Sequence, residues 1–349
     1  MNQIMWSPNS EQIQNSQMYS FMNFVNKKLN ISLNNYTDLY EWSITNGSDF
    51  WGCFWEYSKI IYHKPFINVV DNINKMPGAK WFEGATINFA ENLLQYRDEK
   101  VAIHFYGEDG NEKILTYKQL YNEVSKLANS FRGIGVKKND RIVGFMPNIP
   151  ETIIAMLATA SIGAIWSSCS PDFGTKGVLN RFSQIEPKVI ITASDYIYNG
   201  KTINCLSKIK NILSDLPSIE KTIIVPFKEG SNPTLINNSI VWDDFLATEA
   251  TDIIFEYMPF DHPLYIMYSS GTTGFPKSIV HSAGGTLIQH LKELMLHTNL
   301  TREDKIFYFT TCGWMMWNWL VSVLACEARI VLYDGSPFYP SKKILFDII

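Results

Sequence analysis

Tyr265-Ile-Met-Tyr-Ser-Ser-Gly-Thr-Thr-Gly-Phe-Pro-Lys277 carries an apolar run straight into a loop of small and hydroxylated residues that closes on a lysine. Such a loop suits polyphosphate. Gly271 and Gly274 let the backbone turn tightly and bring its N–H groups close to phosphate oxygens, Ser269, Ser270, Thr272 and Thr273 add hydroxyl donors, and Lys277 adds a point charge. Charge-assisted hydrogen bonds contribute about 1.5–3 kcal/mol each, so four or five converging donors suffice to hold a nucleotide. A Walker-type loop places glycine immediately before its lysine, whereas this chain has Pro276 ahead of Lys277-Ser278. The reading is therefore a phosphate loop of another kind.

Working outward from the loop, apolar strands alternate with amphipathic helices. Val101–Tyr106, Arg141–Met146, Ala164–Ser168, Val189–Thr192 and Thr222–Val225 read as strands, with helices over Pro150–Gly163, Thr175–Ile185 and Thr202–Leu213 between them. Asn148 reads as the cap of the first of these helices. After the loop, a helix opens at Gly284 or Gly285 and runs to about Thr298, followed by a strand over Ile306–Phe309, an apolar helix over Trp314–Cys326 and a strand over Arg329–Tyr333. This alternation predicts an α/β fold with largely parallel sheets and helices on their faces. Residues 1–95, rich in Trp, Tyr, Phe and Asn, lack that rhythm and read as a cap; residues 96–349 form the βα unit.

The 349 residues are 46% hydrophobic and 18% charged, enough apolar material for a large core. A formal net charge of −4 and a pI near 5.9 argue against a nucleic-acid binder. Cys53, Cys169, Cys205, Cys312 and Cys326 form no CxxC pair, which predicts reduced thiols, no structural metal and a cytoplasmic location. The beginning of the chain has no basic and apolar leader, and the stretch Trp314–Cys326 is shorter than the ~20 residues that span a bilayer, so no membrane role is expected.

All nine positions from Ser269 to Lys277 resemble the phosphate-binding signature of the adenylate-forming superfamily, which includes acyl-CoA synthetases, luciferases and peptide-synthetase adenylation domains. Leu115–Leu120 and Ser161–Phe173 are similar to two further motifs of its main domain, and Trp81–Leu94 looks like the end of the N-terminal segment of short-chain acyl-CoA synthetases. The resemblance implies an incomplete N-terminal large domain of this superfamily, preceded by an acetyl-CoA-synthetase type cap over residues 1–95. It implies ATP, Mg2+ and CoA, with Lys277 and Thr272 serving catalysis and Ser269, Ser270, Gly271, Thr272, Thr273, Gly274 and Lys277 holding the ATP phosphates. Arg181 and Lys201 fall where related enzymes present basic residues to CoA, although a solvated helix face explains them nearly as well.

Thr311-Cys-Gly-Trp-Met-Met-Trp-Asn318 aligns with the segment lining the carboxylate pocket of acetate and propionate enzymes, which usually carry valine and threonine after the tryptophan. Met315, Met316 and the following Trp317-Asn318 instead resemble the subgroup that activates acetoacetate, as does Tyr196–Lys201. The resemblance thus implies Trp314, Met315, Met316 and Asn318 as substrate residues, with the Asn318 amide bonding the distal ketone. A Met and aromatic stripe at helical spacing also suits plain core packing, above all for Trp317 and Trp319. His281 reads as a structural histidine rather than a general base. Acetate or propionate remain alternative substrates, and a nucleotide-binding chain without turnover is the alternative from another class.

The superfamily's YGxTE, Thr-Gly-Asp and C-terminal lysine segments do not occur in this sequence. Lys343–Ile349 ends on an apolar run, which predicts continuation into a partner: a polypeptide carrying the missing segments, or a second copy of the chain.

Overall fold

A computed structural model describes residues 5–227, 233–269 and 274–349. The aromatic-rich beginning is helical. Ser16 accepts from the Tyr19 N–H to start the helix Gln17–Leu29, which stops at left-handed Asn30, and Asn35 caps Tyr36–Thr45 in the same way. Phe21 stands edge-on to Phe50, Phe54 and Tyr57 at centroid distances of 5.6, 5.7 and 5.2 Å. These helices share one apolar core with the rest of the chain: Phe82 lies 4.8 Å from Phe260, and the buried Asn88 amide donates to the carbonyls of Ala160, Ser161 and Glu256.

Two sheets organise the remainder. The larger has seven strands in the order Ser239–Val241, Lys221–Val225, Val189–Ala193, Arg141–Phe145, Ile165–Cys169, Pro263–Ser269 and Lys277–Ser282. Its neighbours are parallel except for the last pair, which forms an antiparallel hairpin. The smaller sheet runs Lys305–Phe307, Arg329–Asp334, Val101–Gly107, Glu112–Thr116, with only its last pair antiparallel. The helix Pro150–Ser161, buried at every residue but Glu151, packs against the helix Tyr117–Gly133 and against strands of the larger sheet. A helix enclosed on all sides must be apolar all round, which is what its Ile, Ala, Met and Leu content provides. Full burial of each large aliphatic side chain contributes roughly 1.5–3 kcal/mol. The expected α/β architecture with parallel sheets is present.

Three local expectations fail for identifiable reasons. Thr202 does not begin a helix: Lys201–Asn204 pairs with Asp195–Tyr198 in a hairpin, and the helix covers Leu206–Ser214. The turn is Asn199-Gly200 at φ 53° and 74°, two left-handed residues in the pattern that favours two-residue hairpins, a signal the helical spacing obscured. Asn148 does not cap the helix Pro150–Ser161; Ile149 occupies that place without a side-chain bond. The apolar helix Met315–Val321 tightens into a 3-10 turn over Ser322–Cys326 and stops at left-handed Glu327. All five cysteines are free thiols.

Candidate active site

Because their strands are parallel, the carboxyl ends at Phe145, Cys169 and Ser269 lie at one edge of the larger sheet, where open α/β sheets bind ligands. The strands on either side of the loop form a hairpin there, with Ser269 paired to Lys277 and Tyr268 to Ser278. Ser270, Gly271, Thr272 and Thr273 lie outside the described residues. Lys277 is exposed, and a Cβ at Gly274 would meet only open space.

The two strands of the hairpin are fastened to the last turn of the helix Thr175–Phe182 and to Gln184 just after it. The Gln184 amide donates to the Pro276 carbonyl and accepts from the Ser278 hydroxyl, both at 2.9 Å, while the Tyr268 hydroxyl donates to the Arg181 carbonyl at 3.0 Å. Gln184 was not among the residues singled out by sequence; nothing in its local surroundings marks it. The Arg181 guanidinium lies 4.5 Å over the Phe173 ring and 5.8 Å from that of Tyr268, donates to the Gly177 carbonyl, and forms no ion pair among the described residues.

The segment Thr311–Asn318 is pinned beside this edge. Ser168 donates to the Cys312 carbonyl at 2.7 Å, and the Cys312 thiol donates to the Met146 carbonyl at 3.0 Å. Burial pushes the Cys169 thiol up to about 12 and raises that of Cys312 further, so both remain protonated. Trp314 and Met315 are exposed, Met316 is half-buried, and Trp317 is fully buried, its indole N–H donating to Asn148 Oδ1 at 2.9 Å. Asn148 in turn donates from its backbone to Asp334 Oδ1 at 2.8 Å and from its amide to the Tyr333 carbonyl at 3.2 Å. Asn148 thus joins the carboxyl ends of both sheets to the helix of Trp317. Burial, with the nearby charge of Glu108, raises the Asp334 carboxyl to about 7 despite the Asn148 bond.

Between these parts lies a cleft of only about 10 Å³, lined among others by Trp166, Arg181, Met267, Cys312, Gly313 and Asn318. Asn318 is 2% exposed; its amide nitrogen donates weakly to the Met267 sulfur at 3.4 Å, and Oδ1 finds no partner among the described residues. Lys201 sits apart, exposed on the Asn199-Gly200 hairpin. That turn is held by buried Glu108, whose carboxylate accepts from the N–H groups of Asn199, Gly200 and Ser336 at 2.9, 2.7 and 2.6 Å. The Arg181 guanidinium, by contrast, belongs to the cleft beside the loop. His281 lies against Tyr265 at a centroid distance of 5.0 Å, and burial lowers its pKa.

Among the described residues no cluster of three or more His, Cys, Asp or Glu side chains is arranged to hold a metal ion, and no helix is long and apolar enough to cross a membrane.

The family described as AMP-binding enzyme matches residues 89–349, and the acetyl-coenzyme A synthetase N-terminus matches residues 36–93. An acetoacetyl-CoA synthetase of Gallus gallus is 48% identical over 100% of this chain and 53% of its own length. A malonamoyl-CoA synthetase of Penicillium aethiopicum is 42% identical over 97% of this chain and 48% of its own length. The solved structure of acetoacetyl-CoA synthetase from Streptomyces lividans superposes with a TM-score of 0.95 at 37% identity, covering 99% of this chain and 54% of that one. The chain thus spans about half the length of these relatives.

Proposed function

The chain belongs to the AMP-binding enzyme family, and from that premise we propose that it serves acetoacetate–CoA ligation: activation of acetoacetate by ATP, then thioester formation with CoA. In the first step the carboxylate oxygen bonds to the α-phosphorus of ATP, which enters as its magnesium complex, and pyrophosphate leaves. In the second the CoA sulfur bonds to the acyl carbon and AMP leaves. Both steps bring anions together, so the protein's task is positioning and charge neutralisation rather than supplying a nucleophile.

The observation that supports this reading is that the strand leading into the loop, through Met267 and Tyr268, lines one cleft together with Cys312, Gly313 and Asn318. In the proposal, Ser269, Ser270, Gly271, Thr272, Thr273, Gly274 and Lys277 grip the β- and γ-phosphates, with Lys277 and Thr272 stabilising the charge that passes to the leaving pyrophosphate. Gln184 holds the leg that carries Lys277 through Pro276 and Ser278. Trp314, Met315, Met316 and Asn318 shape the acyl site. Lys201, exposed on its hairpin, meets the CoA phosphates, and Arg181 supplies positive charge toward the same cofactor from the side of the cleft. The relatives named for acetoacetyl and malonamoyl groups share an acid with a second carbonyl on its third carbon, which supports a 3-oxo acid here over acetate or propionate. The free thiols fit a reducing compartment such as the cytosol. A partner carrying the remaining family motifs, or a second copy of the chain, completes the proposal.

Acetoacetate-dependent pyrophosphate release, assayed beside acetate and propionate, tests it. Release with acetoacetate above the other two acids is expected. ATP binding without release from any acid would reduce the chain to a nucleotide binder.

A further inference from the structure

The hairpin that carries Lys201 stands apart from both larger sheets: Lys201–Asn204 pairs with Asp195–Tyr198 alone, and Asn199-Gly200 closes the turn. A two-stranded ribbon is marginal by itself, so its tip needs a hold from outside. Glu108, 8% exposed, supplies it. This residue follows the strand Val101–Gly107 of the smaller sheet, where its own N–H donates to the Asp334 carbonyl at 3.0 Å. Its Oε1 accepts from the Gly200 N–H, and its Oε2 from the N–H groups of Asn199 and Ser336. The fit is close on every side: a Cβ at Gly335 would lie 2.5 Å from the Glu108 Cβ, and a Cβ at Gly200 would meet the Tyr339 ring at 2.9 Å. Lys201, next in the chain after this clamped turn, is exposed opposite Tyr198 and forms no ion pair among the described residues. A buried carboxylate is costly to desolvate, and here every bond that offsets the cost goes to backbone N–H groups of two turns.

We propose that Glu108 is a positioning residue for CoA: by clamping the Asn199-Gly200 turn to the smaller sheet, it fixes where Lys201 presents its charge to the cofactor's phosphates. This deepens the CoA role given to Lys201 in the ligase reading above and rests on it. A lysine ammonium is a point charge on a flexible stem, so its worth to a polyanion depends on where its backbone is held. Glu108→Gln cannot preserve the clamp. An amide offers one acceptor oxygen, so whichever way it turns, at least one N–H of Asn199-Gly200 is left facing an NH2 group. The substitution has two effects of opposite sign. Deleting a negative charge under the hairpin would by itself tighten the binding of a polyanion, whereas releasing the turn weakens it. The direction of the change in CoA affinity therefore separates a positioning role from a purely electrostatic one.

The test is titration calorimetry of CoA and of MgATP with the whole chain, with Glu108→Gln, with Lys201→Ala and with the double variant. Lys201→Ala is expected to weaken CoA about ten- to a hundredfold, as for loss of one charge-assisted bond, and Glu108→Gln about three- to tenfold, with MgATP affinity unchanged in both. The double variant is expected to bind CoA no more weakly than Lys201→Ala alone, because Glu108 acts through the lysine. Gly200→Ala, which forces the turn off the Tyr339 ring, is expected to match Glu108→Gln and covers a failure of that variant to fold. Unchanged or tighter CoA binding in Glu108→Gln, equal losses for CoA and MgATP, or additive losses in the double variant overturn the positioning role and leave the ligase reading standing. CoA binding that Lys201→Ala does not alter, or no CoA binding by a wild-type chain that binds MgATP, removes the CoA part of the ligase reading and the proposal with it.

Discussion

The indole N–H of Trp317 donates to Oδ1 of Asn148 at 2.9 Å, across 169 positions of sequence, with both side chains buried. Through this bond the helix expected to shape the acyl site takes its position from the carboxyl end of the strand Arg141–Phe145. Asn148 also reaches Asp334 and Tyr333 on the smaller sheet, so one amide sets the relation of three elements.

Asn148→Ala strands the Trp317 N–H and the Tyr333 carbonyl in the core. A loss of about 2–4 kcal/mol is expected in urea unfolding, and Trp317→Phe alone should cost less because it removes the buried donor itself. The double variant should be less damaging than the sum of the two. Strict additivity would show that the two side chains do not act together.

Lys277 is exposed and opens the second strand of the hairpin, opposite Ser269. Lys277→Ala should lower ATP affinity about 10- to 100-fold at low salt, as for loss of one charge-assisted bond, and leave the unfolding midpoint unchanged. Titration calorimetry at two salt concentrations measures this; equal affinities for variant and wild type would exclude Lys277 from the phosphate site.

Asp334 has a carboxyl raised to about 7 from an ordinary value of 3.8, by burial and the charges of Glu108 and Asp172. Between those values the folded chain keeps a proton that the unfolded chain has released, so stability falls as pH rises through this window. Asp334→Asn keeps an acceptor for the Asn148 N–H and removes the charge. It should be more stable than wild type at pH 8, by roughly 4 kcal/mol, and indistinguishable below about pH 4. A stability difference that does not change with pH would contradict the assignment.

His290, buried with Nδ1 2.8 Å from the Ser322 hydroxyl, is lowered to about 4 by burial and by His281. The sign is opposite to that of Asp334. The unfolded chain takes up a proton near pH 6.5 and the folded chain only near 4, so stability is full above 6.5 and is lost as pH falls between the two values. His290→Gln should flatten that acid limb, worth roughly 3 kcal/mol, in unfolding curves collected from pH 7 to pH 4.5. An acid limb as steep as that of wild type would assign the loss to other groups.

The sequence by itself determined the α/β class, most of the strand and helix succession and the family, because each is written in contiguous residues. Apolar runs between turn residues specify strands, and the nine positions from Ser269 to Lys277 specify a loop whose chemistry is local. Reading the Thr311–Asn318 segment could not separate exposed Trp314 and Met315 from buried Trp317, since helical spacing tells which residues share a face and not what that face meets. Asn148 satisfied every local criterion for a cap and was drawn away by partners on two other elements. Gln184 and Glu108 carried no local mark at all. Their roles exist only because the topology brings together groups far apart in sequence, as with Glu108 and Ser336, separated by 228 positions. A buried polar atom must find a partner wherever the packed chain supplies one, so the tertiary structure alone decided which atoms are satisfied and which remain open to a ligand.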